Sequence, residues 1–481
     1  MRKILLTLIS VIALAALVAC GSSNSVSTPS SPSTGNPVGF TNANLSGNYV
    51  FSANGINSSN NSFDLVGVFT ADGNGNITSG YRNVYADAVN PVQESVKGTY
   101  SVNTDGRGQV ILNGNSGQAI YRFVLQTPTS GSFFQFSAGA DDTGLIQLQT
   151  AVSSPSGTFV IRLDGEDSSG NPYGAVGALT ISGTSITGTI DQNDAGVLSA
   201  SLPTTGTLGA PDSTGRGTLQ LTFSGAAHNF IYYFVSSSKI AIAGSDHYAI
   251  HGYADLQTAG AAVSGDQVFS LSGVTTNANV LETGRFTLSG GTVTNAIEDY
   301  LQGVSSSASY FSGVTFSGSY ATTANGRWTA QVGGSLASNL VGWQVSPQQS
   351  VVLAYNSSST IVETGTMRAQ DTTVTTASIN GPYAVNLAGF NYNDLGYVEL
   401  GGNLDASSGS LSGTIDSQTP GYYNTDIAAS GTYSIASNGR SPNANIAGVS
   451  VVIYTVDANT AYLISSDATR LYQGKMLAQV P

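Results

Sequence analysis

From about residue 45 to the end of the chain, short apolar runs alternate with polar residues and stop at clusters of Gly, Asn, Asp and Ser. Gly98-Thr99-Tyr100-Ser101-Val102 and Gln109-Val110-Ile111-Leu112 show the two-residue period of a strand with one face in a core. In the first stretch the pattern predicts strands at Leu45–Phe51, Leu65–Thr70, Asn76–Tyr81, Val96–Val102, Gln109–Leu112, Ala119–Leu125, Ser132–Ser137 and Thr143–Gln149. Turn clusters such as Asp72-Gly73-Asn74-Gly75 and Asp105-Gly106-Arg107-Gly108 separate them. Nothing long with a 3.6-residue period is available for helical crossovers. About eight strands joined by tight turns make an antiparallel meander, and closing it into a small barrel removes its exposed edges. A two-sheet β-sandwich is the alternative. Most of these strands read as shorter than the roughly 9–11 residues that cross a bilayer, so a transmembrane barrel is not expected.

The same pattern recurs four times. Each unit opens on a glycine and an extended run, at Gly47, Gly157, Gly265 and Gly381, in steps of 110, 108 and 116 residues. A Gly-Arg pair follows in each, at Arg107, Arg216, Arg327 and Arg440, and each unit closes on a glutamine: Gln149, Gln257, Gln370 and Gln479. Three landmarks in one order at near-constant spacing define a tandem repeat. The predicted fold class is therefore all-β: four tandem meander units of about 110 residues, each a small barrel of about eight strands, at 44–150, 151–258, 259–371 and 372–481.

Composition fits an exported β protein. Charged residues make up only 9% of the 481, against roughly a quarter in ordinary domains. Basic side chains form no run or cluster along the sequence, and a net charge of -13 is the wrong sign for a phosphate backbone, which excludes nucleic acid as a partner.

The first twenty residues have the form of a targeting signal. Arg2 and Lys3 precede a nearly continuous apolar run from Ile4 to Val18, which ends Leu17-Val18-Ala19-Cys20-Gly21. This ending resembles the lipobox of the bacterial lipoproteins, a likeness that covers only those twenty residues. It implies cleavage before Cys20 and acylation of that residue as the membrane anchor, with residues 1–19 removed; the mature chain then carries 13 basic against 28 acidic side chains, a net of -15. Gly21 is not the aspartate that retains some lipoproteins at the inner membrane, so the resemblance points to the outer membrane. Cys20 is the only cysteine, which leaves no intramolecular disulfide and no thiolate catalysis in the repeats. Residues 20–43, rich in Ser, Thr, Pro and Asn, read as a disordered tether.

Candidate chemistry is sparse. Beyond the third strand of each unit an acidic or amide residue recurs, at Asn83, Asp191, Glu298 and Asp416, three residues after Gly80, Gly188, Asn295 and Gly413. Its recurrence together with the Gly-Arg arginine suggests that the two pair, and the leading reading is a structural pin rather than a ligand site in every unit. The Asp72–Asn76 segment spaces oxygens as a calcium loop does but lacks that loop's glycine and final glutamate, so a hairpin turn is expected. Asp164, Glu166 and Asp167 form an acidic loop read as a solvated turn. His228, His247 and His251 all fall in the second unit; on one strand His247 and His251 stand about 13 Å apart, too far to share a metal. Neither metal nor cofactor is expected. A Gly-x-Ser-x-Gly elbow is missing and three units lack histidine, which disfavours serine hydrolase chemistry. Tyr232-Tyr233-Phe234 and Tyr422-Tyr423 place neighbouring rings on opposite faces, so some should be partly exposed.

Two functional readings follow. The first is a lipid-anchored cell-envelope protein whose β units serve binding of a glycan or protein ligand, adhesion, or spacing, without catalysis. The alternative is a surface-anchored carbohydrate-active or other hydrolase, which would need one unit with converging carboxylates in a concave site.

Overall fold

A computed structural model describes residues 39–481 apart from 58–60, 87–88, 139, 247–248, 259–261, 276–277, 305–306, 357–359, 394–395 and 420. Residues 1–38, including Cys20 and the signal segment, lie outside the described residues.

Each unit is a closed antiparallel barrel with eight strand positions. In barrel 1 they are Ser46–Asn57, Ser62–Asp72, Asn76–Ala86, a fourth position split into Val89–Ser95 and Lys97–Val102, Arg107–Gly114, Gly117–Thr127, Ser130–Gln135 and Ala140–Leu148. Barrel 2 runs from Gly157–Glu166 to Ala249–Leu256, barrel 3 from Gly265–Val274 to Val362–Ala369, and barrel 4 from Gly381–Asn391 to Arg470–Ala478. In every unit the first strand pairs with both the second and the eighth, which closes the barrel and rules out the sandwich.

The alternation that predicted the strands also decides which side is apolar. Along Arg216–Phe223, Leu219, Leu221 and Phe223 point into the barrel while Thr218, Gln220 and Thr222 are exposed. The strands are longer than the sequence suggested, reaching 12 residues at Ser46–Asn57 and 16 at Ser307–Thr322. Length therefore does not separate these barrels from membrane-spanning ones. Polarity does, because lipid requires apolar side chains outside and tolerates polar ones within, and here the order is reversed.

The interiors are filled. Phe51, Phe69, Tyr121, Phe123 and Phe133 pack inside barrel 1 around an apolar cavity of about 20 Å³, no larger than a water molecule needs. Phe40 is fully buried at the end of that core, and the turn Asn42–Asn44 behind it is held by the Tyr100 hydroxyl on the Asn42 and Leu45 carbonyls. Residues 39–43 therefore belong to the barrel rather than to the tether. Barrel 4 repeats the device with Val374, Ile379 and the Tyr433 hydroxyl on the Ile379 carbonyl.

Candidate functional site

The three recurring marks of the sequence meet where one barrel touches the next. The closing glutamine of each barrel inserts its side-chain amide into the following barrel. Gln149 Nε2 donates to the carbonyls of Thr214 and Phe234 (2.9 and 2.7 Å), Gln257 to Asn325 and Gln344 (3.2 and 2.7 Å), and Gln370 to Asn438 and Thr455 (3.2 and 2.9 Å). Gln479, almost at the C-terminus, donates to Asp105 and Leu125 of barrel 1 (3.0 and 2.6 Å). The next residue adds a backbone bond each time, Thr150 to Val235, Thr258 to Val345, Asp371 to Val456 and Val480 to Gln126. The four barrels therefore form a closed ring.

The glycine before each arginine makes room for this amide. At Gly106 and Gly215 a Cβ would stand 2.6 Å from the Nε2 of Gln479 and Gln149, and both glycines have a positive φ, 83° and 78°. An alanine there meets strain and collision together.

The arginines pair backwards around the ring, each with the preceding barrel. Arg327 grips Asp191 through Nε and Nη2 (2.9 and 2.7 Å), and Trp343 Nε1 donates to the same carboxylate at 2.8 Å. Arg440 grips Asp299 (2.8 and 2.7 Å) with the Tyr454 hydroxyl alongside at 2.5 Å. Burial would lower the Arg440 guanidinium, but its bonds to Asp299 and that charge raise it above the ordinary arginine value. Arg216 and the Tyr233 hydroxyl both donate to Asn83 Oδ1 at 3.0 Å, a neutral version of the same lock. Arg107 closes the ring, with Nη1 on Asp416, Nη2 on Asp426 and Nε on Asp105 at 2.9, 2.9 and 2.8 Å.

In the third barrel the lock acid is Asp299, not Glu298. Asn295 adopts a left-handed φ of 50° within a bulge that shifts the register between Val293 and Ala296. Counting three residues from Asn295 therefore lands one short. A one-residue slip reverses the face of a strand, and Glu298 points into barrel 3 while Asp299 points to barrel 4.

Two features of the lock were not read from the sequence. One is the aromatic donor opposite each arginine, Tyr233, Trp343 or Tyr454, replaced in barrel 1 by Val124; its signal is an aromatic 14 to 17 residues after Gly-Arg in three units. The other is a residue of positive φ in the fourth strand whose N–H reaches the lock carboxylate: Ser201 on Asp191, Gly313 on Asp299 and Asp426 on Asp416.

Apolar clusters back the locks. Val50, Val66 and Val68 pack on Ile231, Tyr233 and Val235 between barrels 1 and 2, and Val160, Val176 and Ala178 on Val341, Trp343 and Val345 between barrels 2 and 3. Tyr233, in the segment expected to leave rings exposed, is wholly buried because the neighbouring barrel covers the outer strand face. The seam between barrels 4 and 1 is more polar. Arg122, where the other barrels carry Ile231, Val341 and Val452, is buried over the Phe136 ring at 4.9 Å, and none of its guanidinium nitrogens has a hydrogen-bond partner among the described residues.

Asn83 is 2% exposed and its Nδ2 has no acceptor among the described residues, so Asn83→Asp should convert the neutral lock to the charged form of the other three. A gain of about 1 kcal/mol in urea unfolding is expected from charge-assisted bonds to Arg216 and Tyr233. A lowered midpoint would mean that burying the extra charge costs more than the pairing returns.

The remaining candidates have local roles. Asp72 Oδ1 accepts the N–H groups of Asn74 and Asn76 (2.7 and 3.0 Å), which makes the segment a hairpin turn, and Asp167 does the same for Ser169 and Asn171, both at 2.8 Å. His228 stacks on Phe223. His251 bridges Asp164 and, in barrel 1, Asp64 at 2.9 and 3.3 Å; despite its burial the Asp164 carboxylate raises its imidazole to about 10. His247 lies outside the described residues. No three His, Cys, Asp or Glu side chains are placed to hold one metal ion together among the described residues.

One barrel holds converging carboxylates. Glu282, Glu298 and Glu363 are at most 1% exposed inside barrel 3. Glu298 accepts from Ser335 Oγ at 2.8 Å and Leu336 N at 3.0 Å, whereas the Glu363 oxygens find no donor among the described residues. Burial raises Glu298 to about 7 and Glu363 to about 8, and Glu282 well above the ordinary range, which favours their neutral forms. They face a packed core and not a cleft.

No family model matches the chain, and no curated protein matches it. Among solved structures, the isotype 1 transferrin binding protein B from serogroup B Neisseria meningitidis aligns over 75% of this chain and 82% of that one, at 9% identity and a TM-score of 0.18.

Proposed function

We propose that this chain is a lipoprotein of the bacterial cell envelope, anchored in the outer membrane through Cys20, whose ring of barrels is a rigid, non-enzymatic platform for binding or adhesion. The observation that carries this reading is the closed ring. Buried locks fix every barrel against two neighbours and the interiors are filled, so a large ligand meets the outer rim of turns and fourth strands. That rim carries partly exposed aromatic side chains: Tyr422 (71%) and Tyr423 (39%) in barrel 4, and Phe311 in barrel 3, stacked on Tyr300 at 4.4 Å. Such rings can stack on sugars or anchor a protein partner. Hydrolysis is the weaker reading, because the converging carboxylates of barrel 3 are sealed from solvent.

A glycan and cell-wall array probed with Gly39–Pro481 tests the reading. Binding that falls at least about tenfold in Tyr422→Ala, the loss typical of a buried aromatic anchor, is the expected result. Turnover of a glycan would overturn the non-enzymatic reading, and silence across the array would leave a spacer role in place of binding.

A further inference from the structure

The ring brings together cations that lie far apart in the sequence. Where strands one and eight face its axis, equivalent cross-strand pairs are Ser52 and Leu145 in barrel 1, Arg162 and Tyr253 in barrel 2, Ser270 and Thr366 in barrel 3, and Asn386 and Lys475 in barrel 4. Lys239 joins Arg162 from the seventh strand of barrel 2 by lying over the Tyr253 ring at 4.5 Å, and Arg368 lies two residues beyond Thr366. The pairs are linked across barrels: the Tyr462 hydroxyl of barrel 4 meets Thr366 of barrel 3 at 3.0 Å, and Lys475 lies 5.8 Å from the Tyr462 ring. Lys475 and Leu145 are solvent-exposed, so the strand faces these pairs share are open to water.

The charges there do not balance. Arg162 pairs with Asp164 and Lys239 with Asp255, both at 3.2 Å. Lys475 and Arg368 have no carboxylate within ion-pair distance among the described residues, and Arg368 Nε is buried without an acceptor. The protein mass around it, which partly desolvates the ammonium although its side chain touches water, followed by the like charges of Arg162, Lys239 and Arg368, pulls Lys475 down to about 8. Two uncompensated cations at the centre of a chain with a net charge of -13 form an electrostatic trap, not a general feature of its surface.

We propose that the lumen of the ring, between Lys475, Arg368, Arg162 and Lys239, is a binding site for a multiply charged oxyanion, a phosphate or sulfate group. Guanidinium and ammonium groups recognise such oxygens directly, and the Thr366, Ser270 and Tyr462 hydroxyls on the same wall add donors. The site depends on ring closure, since its members come from three barrels. It goes beyond the envelope role and does not rest on it.

Isothermal titration of the full chain with inorganic pyrophosphate, at constant ionic strength, tests the site, and a sulfated disaccharide forms a second arm. The expected result is one site per chain that weakens at least about tenfold in Lys475→Met with Arg368→Met, the loss of two charge-assisted contacts. Lys97→Met, an exposed control outside the lumen, should bind as the parent does. Without anion the double variant should melt no lower than the parent, because it removes two like charges, which separates loss of binding from loss of fold. Pyrophosphate binding alone assigns the lumen to free anions, and binding in both arms extends it to charged groups on larger molecules. No saturable heat in either arm, or equal affinity in the double variant, would overturn the proposal.

Discussion

Asp191→Ala is expected to cost about 3–5 kcal/mol of stability, the loss typical when one partner of a buried ion pair is removed. Asp191 is fully buried and accepts from Arg327, Trp343 Nε1 and the Ser201 N–H. Truncation strands a largely buried guanidinium and leaves the indole N–H, at a residue that is 0% exposed, without its acceptor. Of the two tryptophans only Trp343 lies in this interface, Trp328 being in the core of barrel 3, so opening of the interface should shift the Trp343 share of the emission to the red before the barrels unfold. Hydrogen exchange should rise first along Val341, Trp343 and Val345. Asn83→Ala, which removes an uncharged acceptor and no ion pair, should cost about 1–2 kcal/mol. Equal effects of the two substitutions, or a change below about 1 kcal/mol at Asp191, would show that the recurrent acid is not a lock.

The second large effect is a dependence on pH that comes from barrel 3. Glu298 and Glu363 are raised from 4.5 to about 7 and about 8 by burial and by neighbouring carboxyls. Below pH 4.5 these acids are protonated in both folded and unfolded chains and cost nothing. As pH rises, the unfolded chain releases their protons while the fold retains them, so stability falls progressively up to about pH 8. Each unit of displacement is worth about 1.4 kcal/mol, and Glu363→Gln should therefore stabilise the protein by roughly 2–4 kcal/mol at pH 8 and by little at pH 4. Unfolding midpoints of parent and variant across that range test this; parallel curves would place the carboxyl in a solvated setting. His251 adds to the same trend at higher pH: with its imidazole raised to about 10, the stability it contributes is fully present below its usual pKa of 6.5 and is lost progressively as pH rises to about 10.

The barrel was legible because closure leaves one face of each strand apolar, and period-2 alternation reports that face directly. Strand ends were less so: Gln109–Leu112 extends to Arg107–Gly114 because turn residues continue the ladder. Arg107, Arg216, Arg327 and Arg440 and their partners could be found by period, but a spacing does not say whether partners share a barrel. Glu298 was misplaced because a bulge adds a residue without changing composition. The lumen cations at 162, 239, 368 and 475 share no motif, and only the ring brings them together.

Small-angle X-ray scattering of Gly39–Pro481 tests the closed ring most directly. A ring in which barrel 4 returns to barrel 1 predicts a radius of gyration of about 22 Å, near that of a compact chain of this length, with a distance distribution that ends abruptly. Four barrels of this size in an open row would give about 30 Å and a long tail, and that result would contradict the ring.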